Sequence, residues 1–135
     1  MTQILLVSPE KNRLNDLESS FSEYKITVQW TNTAEKALLL LAGQKFDLVI
    51  THEQLPDMTG RKLVENIIAF NAMLNCVVLS ALSKEEFHEA YEGLGVLMQF
   101  PLTPGKDEVI KLQDHLDRIR RISDQMKPLK KAGNK

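Results

Sequence analysis

The chain has 135 residues, 43% of them hydrophobic, and a net charge of −1, which suits one domain with a sizeable core. Its longest apolar run, Ala37 to Ala42, is far shorter than the roughly 20 residues of a membrane-spanning helix, and one cysteine, Cys76, cannot form an internal disulfide. With no basic, cleavable segment ahead of Ile4, these features predict a cytoplasmic protein and exclude a disulfide-stapled or membrane-inserted one.

Taken in chain order, short apolar runs alternate with helix-like stretches. Ile4 to Val7 is a compact strand-like run, and from Lys11 to Phe21 the residues Leu14, Leu17 and Phe21 recur at helical spacing. Lys25 to Trp30 is rich in β-branched and aromatic residues and predicts a second strand. Thr33 is placed to cap a helix with Ala34, Ala37, Leu38 and Leu41 on one face, ended by Gly43. Asp47 to Thr51 is the third strand. Thr59 caps a helix through Asn71 whose expected buried stripe is Leu63, Val64, Ile67 and Phe70. Asn75 to Ser80 is the fourth strand, Ser83 with Glu86 forms a capping box for a helix ending near Gly93, and Val96 to Phe100 is the fifth strand. A last helix begins near Asp107.

Strands alternating with helices imply right-handed parallel crossovers and a three-layer α/β sandwich, its sheet covered on both faces. In such sheets the working site lies beyond the C-terminal ends of the strands. Ser8, His52, Ser80 and Phe100 occupy those ends.

The runs ILLVSPE at the first strand, FDLVITHEQLPDMTG (Phe46 to Gly60) at the third, VVLSA at the fourth and FP after the fifth resemble the receiver domain of bacterial response regulators. The resemblance covers about residues 2–120, with the Leu55 to Gly60 segment its most specific part. It implies a flavodoxin-like fold with a five-stranded parallel sheet in the order 2-1-3-4-5, and descent from a phosphorylatable signalling module. Receivers carry an acidic pair after the first strand that binds magnesium, and an aspartate ending the third that accepts a phosphoryl group. Here those positions read Ser8, Pro9 and His52. The family's lysine before proline is Phe100, and its aromatic switch residue is Leu97. Only the hydroxyl after the fourth strand remains, as Ser80. The resemblance is thus to a degenerate receiver with a vestigial phosphorylation pocket.

Phosphoryl transfer needs a nucleophilic oxygen, a divalent cation and groups to hold the phosphoryl oxygens. Ser8, Pro9 and His52 supply no carboxylate for octahedral magnesium, and Phe100 removes a cation. No cofactor is expected. His52, Glu53 or Asp57 could act as a substitute acceptor, but each lacks charge stabilisation or is displaced from the strand end. His52, Glu53 and Glu10 could in principle hold a transition metal, in no recognised ligand spacing; His88 and His115 fall on separate helices. The plainer expectation for His52 is a neutral, hydrogen-bonded side chain plugging the pocket, for Ser80 a hydroxyl bonded to local backbone, and for Cys76 a small buried residue. A flavin site is not expected, because SPEKNR after the first strand has no glycine to cradle phosphate.

What remains is surface. In the family, the face made by the fourth helix, fifth strand and fifth helix commonly docks partners; here it comprises Lys84 to Glu92, Val96 to Gln99 and parts of Lys106 to Arg121. Val109, Leu112, Leu116, Ile119 and Met126 fall on heptad-like positions interrupted by Ser123, marking a possible interaction helix, although the first four could merely cover the sheet. Residues 118–135 hold seven Lys or Arg against Asp124, a net +6 that leaves −7 on residues 1–117. Such a tail can mark a nucleic-acid arm, but it has no interleaved aromatics, and a solvated helix end gives the same pattern. The sequence therefore predicts a receiver-like domain over 1–121 and a basic helical extension, linker or tail over 122–135. It predicts a non-enzymatic, phosphorylation-independent module that binds a signalling protein, an output domain or a second copy in a homodimer, and not nucleic acid.

Overall fold

The computed structural model describes residues 2–118. Five strands, β1 (Gln3–Val7), β2 (Thr27–Thr31), β3 (Leu48–His52), β4 (Asn75–Leu79) and β5 (Met98–Phe100), alternate with α1 (Asn15–Glu23), α2 (Ala34–Gly43), α3 (Gly60–Phe70) and α4 (Lys84–Ala90). A further helix, α5, runs over 106–118. Every strand pair is parallel and the sheet order is β2-β1-β3-β4-β5, the flavodoxin-like order expected from the sequence.

The period-two alternation of a strand sorts the core into two layers. Ile4, Leu6, Leu48, Ile50, Val77 and Leu79 face Leu14 and the α1 residues Leu17 and Phe21, together with Val109 and Leu112 of α5. Leu5, Val7, Val49, Cys76 and Val78 face Ala34, Ala37 and Leu41 of α2 and Leu63, Val64 and Ile67 of α3. Both faces of the central strands are thereby buried, which is why β1, β3 and β4 read as continuous apolar runs.

The helix starts follow their caps. Thr33 and Thr59 accept from the N–H groups of Lys36 and Lys62, and Ser83 with Glu86 forms both bonds of a capping box. Elsewhere the boundaries move. The first helical stretch opens as a 3-10 turn, Asn12–Leu14, β2 begins at Thr27, and β5 is only three residues long. Between α1 and β2, Lys25 adopts a left-handed φ of 58°: Ile26 N–H reaches Phe21 O and Lys25 N–H reaches Ser22 O, closing the helix as a Schellman motif without its usual glycine. Phe70 corrects the expected stripe. As the last residue of α3 it is 61% exposed, because the stripe runs out with the helix.

Candidate functional site

The parallel register brings the expected positions to one edge of the sheet. Val7 pairs with Thr51, His52 with Leu79, and Leu79 with Phe100, so Ser8, His52, Ser80 and Phe100 sit at the C-terminal ends of four adjacent strands. They do not share a cavity. The Ser8 hydroxyl donates to Glu10 O and accepts from Glu10 N–H, both at 3.2 Å. The Ser80 hydroxyl accepts from Leu82 N–H at 3.0 Å. Both serines are buried, and both hydroxyls serve local turns.

Phe100 is buried in the layer beneath α1 and α5 and does not line the depression occupied by His52. That depression, about 430 Å³, is formed with Pro9, Glu10, Arg13, Gln54, Leu55, Pro56 and Leu102. Its charged residues neutralise each other, since Arg13 Nε lies 3.0 Å from Glu10 Oε2. His52 Nδ1 accepts from Gln54 N–H at 3.0 Å, so in this geometry that nitrogen carries no proton.

The connection from β3 to α3 is a tight hairpin held from three sides. Gln54 and Thr59 form an antiparallel bridge, Leu55 N–H bonds Met58 O, and Gly60 N–H bonds Glu53 O. Gly60 is dictated by proximity: a Cβ there would collide with His52 O and Glu53 Cα. Glu53 Oε2 then accepts from Ala81 N–H at 2.9 Å, tying the hairpin to the β4–α4 loop. Asp57 ties it to α2, Oδ1 accepting from Ala34 N–H at 3.0 Å and Oδ2 from Glu35 N–H at 2.9 Å. With Thr33 on Lys36 N–H, the first three amides of α2 are satisfied. The Ala34 N–H, chiefly, holds the Asp57 carboxyl below its ordinary 3.8, against an opposing pull from desolvation.

Glu53 and Asp57 are thus both committed to backbone N–H groups. The grouping of His52, Glu53 and Glu10 does not form, because Glu53 turns to Ala81; among the described residues no three His, Cys, Asp or Glu are placed to hold a metal ion. Cys76 is buried, which pushes its thiol up to about 12.

A larger groove of about 890 Å³ lies between α4, β5 and α5. Val96, Leu97, Met98 and Phe100 supply apolar lining, Phe87 and Tyr91 a stacked pair with centroids 4.6 Å apart, and Glu108 and Lys111 the α5 side. Burial raises the Tyr91 hydroxyl to about 12, with the charge of Glu53 adding and that of Arg61 opposing. Gln99 fixes the upper end: its Nε2 donates to Leu82 O at 2.8 Å and Ser80 O at 3.3 Å. Leu97, which the resemblance sets at the aromatic switch position, is half-buried, its N–H on Cys76 O.

The heptad-like residues of α5 resolve differently from an interaction seam. Val109 and Leu112 are buried and Leu116 packs on the same layer, so they cover the sheet; Ile119 and Met126, the proposed boundary at 121/122 and the basic tail lie outside the described residues. The sequence reading missed the structural work of Glu53, Asp57 and Gln99. Of these, Asp57 carried no signal for its tie, lying two residues before the Thr59 cap of α3 but holding α2, 23 residues away. Glu53 and Gln99 carried none, their partners being 28 and 17 residues away.

A family model for the response regulator receiver domain matches residues 4–99. Among curated proteins the chain is similar to the two-component response regulator ARR12 of Arabidopsis thaliana, 38% identical over 87 residues, which is 63% of this chain and 14% of that protein. It therefore spans a small part of that relative's length. Among solved structures it is similar to the signal receiver domain of an HD domain-containing protein from Pseudomonas fluorescens Pf-5, with a TM-score of 0.77, 23% identity, and 91% and 92% of the two chains covered. The chemotaxis response regulator CheY4 of Vibrio cholerae gives 0.76 at 17% identity, covering 85% and 98%. At such identities the likeness is one of fold. No helix among the described residues is long and apolar enough to cross a membrane.

Proposed function

The chain belongs to the response regulator receiver domain family of two-component signalling, and from that premise we propose that it acts without a phosphorylation switch, as a protein-interaction module presenting its α4–β5–α5 face. One observation carries this reading. At the end of β3, where the family resemblance places the acceptor aspartate, stands His52 with Nδ1 on Gln54 N–H; the carboxylates that follow it in the chain, Glu53 and Asp57, each hold backbone N–H groups, and Glu10, which lines the same depression, is paired with Arg13. Supporting it, Ser8, Pro9 and His52 offer no carboxylate for magnesium, and Phe100 puts a buried ring where a receiver keeps a cation.

Asp57 as an alternative acceptor is disfavoured by the same geometry: phosphorylation would withdraw an oxygen from the N-terminus of α2. The partner is a signalling protein, an output domain or a second copy. The test is an amide NMR spectrum of labelled protein before and after magnesium with beryllofluoride, a mimic of a bound phosphoryl group, together with the intact mass after a small phosphodonor. No shifts near His52, Ser80 and Phe100 and no added mass are expected; shifts centred there, or one added phosphoryl group, would overturn the proposal.

A further inference from the structure

The bond made by the His52 ring is one that a proton would abolish. Nδ1 accepts from Gln54 N–H at 3.0 Å, whereas a protonated imidazole carries N–H on both nitrogens and accepts at neither. Histidine is the side chain that ordinarily changes charge between pH 8 and 5. The same bond fastens the tip of the β3–α3 hairpin to the strand end, beside the Gln54–Thr59 bridge and the bond from Leu55 N–H to Met58 O. An acceptor for a charged ring stands in the same depression: Glu10, whose pairing with Arg13 is open to solvent. Glu10 and Arg13 are the charged residues lining that depression with His52. Glu53, next in the chain, is held by Ala81 N–H, and the neighbours from β4 and α3, Leu79 and Gly60, carry no charge.

We propose that His52 is a proton-operated latch on the tip of this hairpin: unprotonated, it holds Gln54 N–H; protonated, it releases that N–H and turns to the Glu10 carboxylate. In the protonated state Nδ1–H and Gln54 N–H are two donors face to face, so their bond is lost, and a charge-assisted bond to Glu10 takes its place. Gln54 is exposed, so its released N–H passes to water, which keeps the two arrangements close in energy, as a switch requires. The bond is present at the alkaline end and is lost as pH falls. Glu10 and Arg13 cancel, so protonation gives the depression a net +1. The change stays at the tip, because the ties from Glu53 to Ala81 and from Asp57 to α2 do not involve the ring. The end of the sheet thereby responds to pH without a phosphoryl group, whether or not the α4–β5–α5 face docks a partner.

The test is an NMR titration of the labelled full chain across the range from pH 8 to 5, following the His52 ring and the backbone amides. At the alkaline end the ring proton should sit on Nε2. As the ring gains its second proton, the Gln54 amide proton should move upfield with the same midpoint, and its exchange protection should fall about fivefold, the loss of one hydrogen bond. The amides of Ala81 and Ala34, held by Glu53 and Asp57, should keep theirs. His52→Asn identifies the ring signals and isolates the proton: an asparagine there can accept from the N–H two residues on but does not titrate, so Gln54 should keep its bond throughout. Glu10→Gln removes the acceptor of the charged ring and should move the common midpoint to lower pH; an unchanged midpoint would overturn the turn to Glu10. A Gln54 amide that stays put while the His52 ring titrates, a proton on Nδ1 at the alkaline end, or a Gln54 response that persists in His52→Asn would overturn the latch.

Discussion

Replacing Asp57 by alanine tests whether this carboxylate is a structural tie. In the native fold its two oxygens receive the first two amides of α2 at 3.0 and 2.9 Å, the service an N-cap performs, delivered here from a loop 23 residues away. Removing a capping oxygen costs about 0.5–2 kcal/mol, and the charge at a helix N-terminus adds about 0.3–1. Asp57 is exposed, so water partly replaces the lost acceptor and salt screens the charge; the expected loss is about 1 kcal/mol, or about 4 °C in Tm for a domain of this size. Asp57→Asn keeps one acceptor oxygen and should lose about half as much.

The pH dependence follows from the direction of the shift. Because the folded carboxyl titrates below its ordinary 3.8, its contribution is fully present above that value and fades as pH falls through the lower folded pKa. Urea unfolding of parent and Asp57→Ala should therefore show the full gap at pH 7 and a shrinking one in acid. A gap under about 0.5 kcal/mol at pH 7, within the range of inert surface substitutions, or one that persists undiminished in acid, would refute the tie.

Further substitutions probe the same frame. Gly60→Ala drives a Cβ into His52 O and Glu53 Cα and should lower stability by about 1–3 kcal/mol despite alanine's better helix propensity, read from the urea midpoint. Glu53→Ala strips the acceptor from Ala81 N–H; a loss of about 1 kcal/mol should appear as roughly fivefold faster amide exchange at Ala81. Lys25→Gly relieves a left-handed φ of 58° and should raise stability by up to about 1 kcal/mol. Phe100→Ala empties a side chain that is 1% exposed and should cost about 3–5 kcal/mol in chemical unfolding.

The fold was legible because its rules are local and periodic. Ile4 to Val7, Val49 and Ile50, and Val77 to Leu79 are apolar on both faces, as strands covered by helices must be, and Thr33, Thr59 and Ser83 announce helix starts through bonds that reach only three residues along. The edges were less legible. Lys25 gave no sign of a left-handed cap because nothing in its side chain favours that conformation, and Phe70 matched the helical period one turn beyond the buried surface. At the candidate site, the residue types at Ser8, Pro9, His52 and Phe100 could be read once the resemblance aligned them. A hydrogen-bonded His52 was also expected, but its partner, Gln54 N–H, was not. The ties from Glu53 to Ala81 and from Asp57 to Ala34 depend on where three loops meet, which sequence spacing does not encode.

Those ties bear on what such a domain is able to signal. A switch needs a group whose interactions differ between two states of comparable energy. At this edge of the sheet the hydroxyls of Ser8 and Ser80, His52 Nδ1 and the carboxylates of Glu53 and Asp57 already have backbone partners, and Gln99 holds both Ser80 O and Leu82 O. Moving the β4–α4 loop would break the Glu53 and Gln99 bonds together, with no incoming phosphoryl group to replace them on the proposed reading. On that reading the groove that begins at this loop keeps its shape, and control over it comes from what occupies it. Competition for the groove between partners changes occupancy without asking the pocket to move.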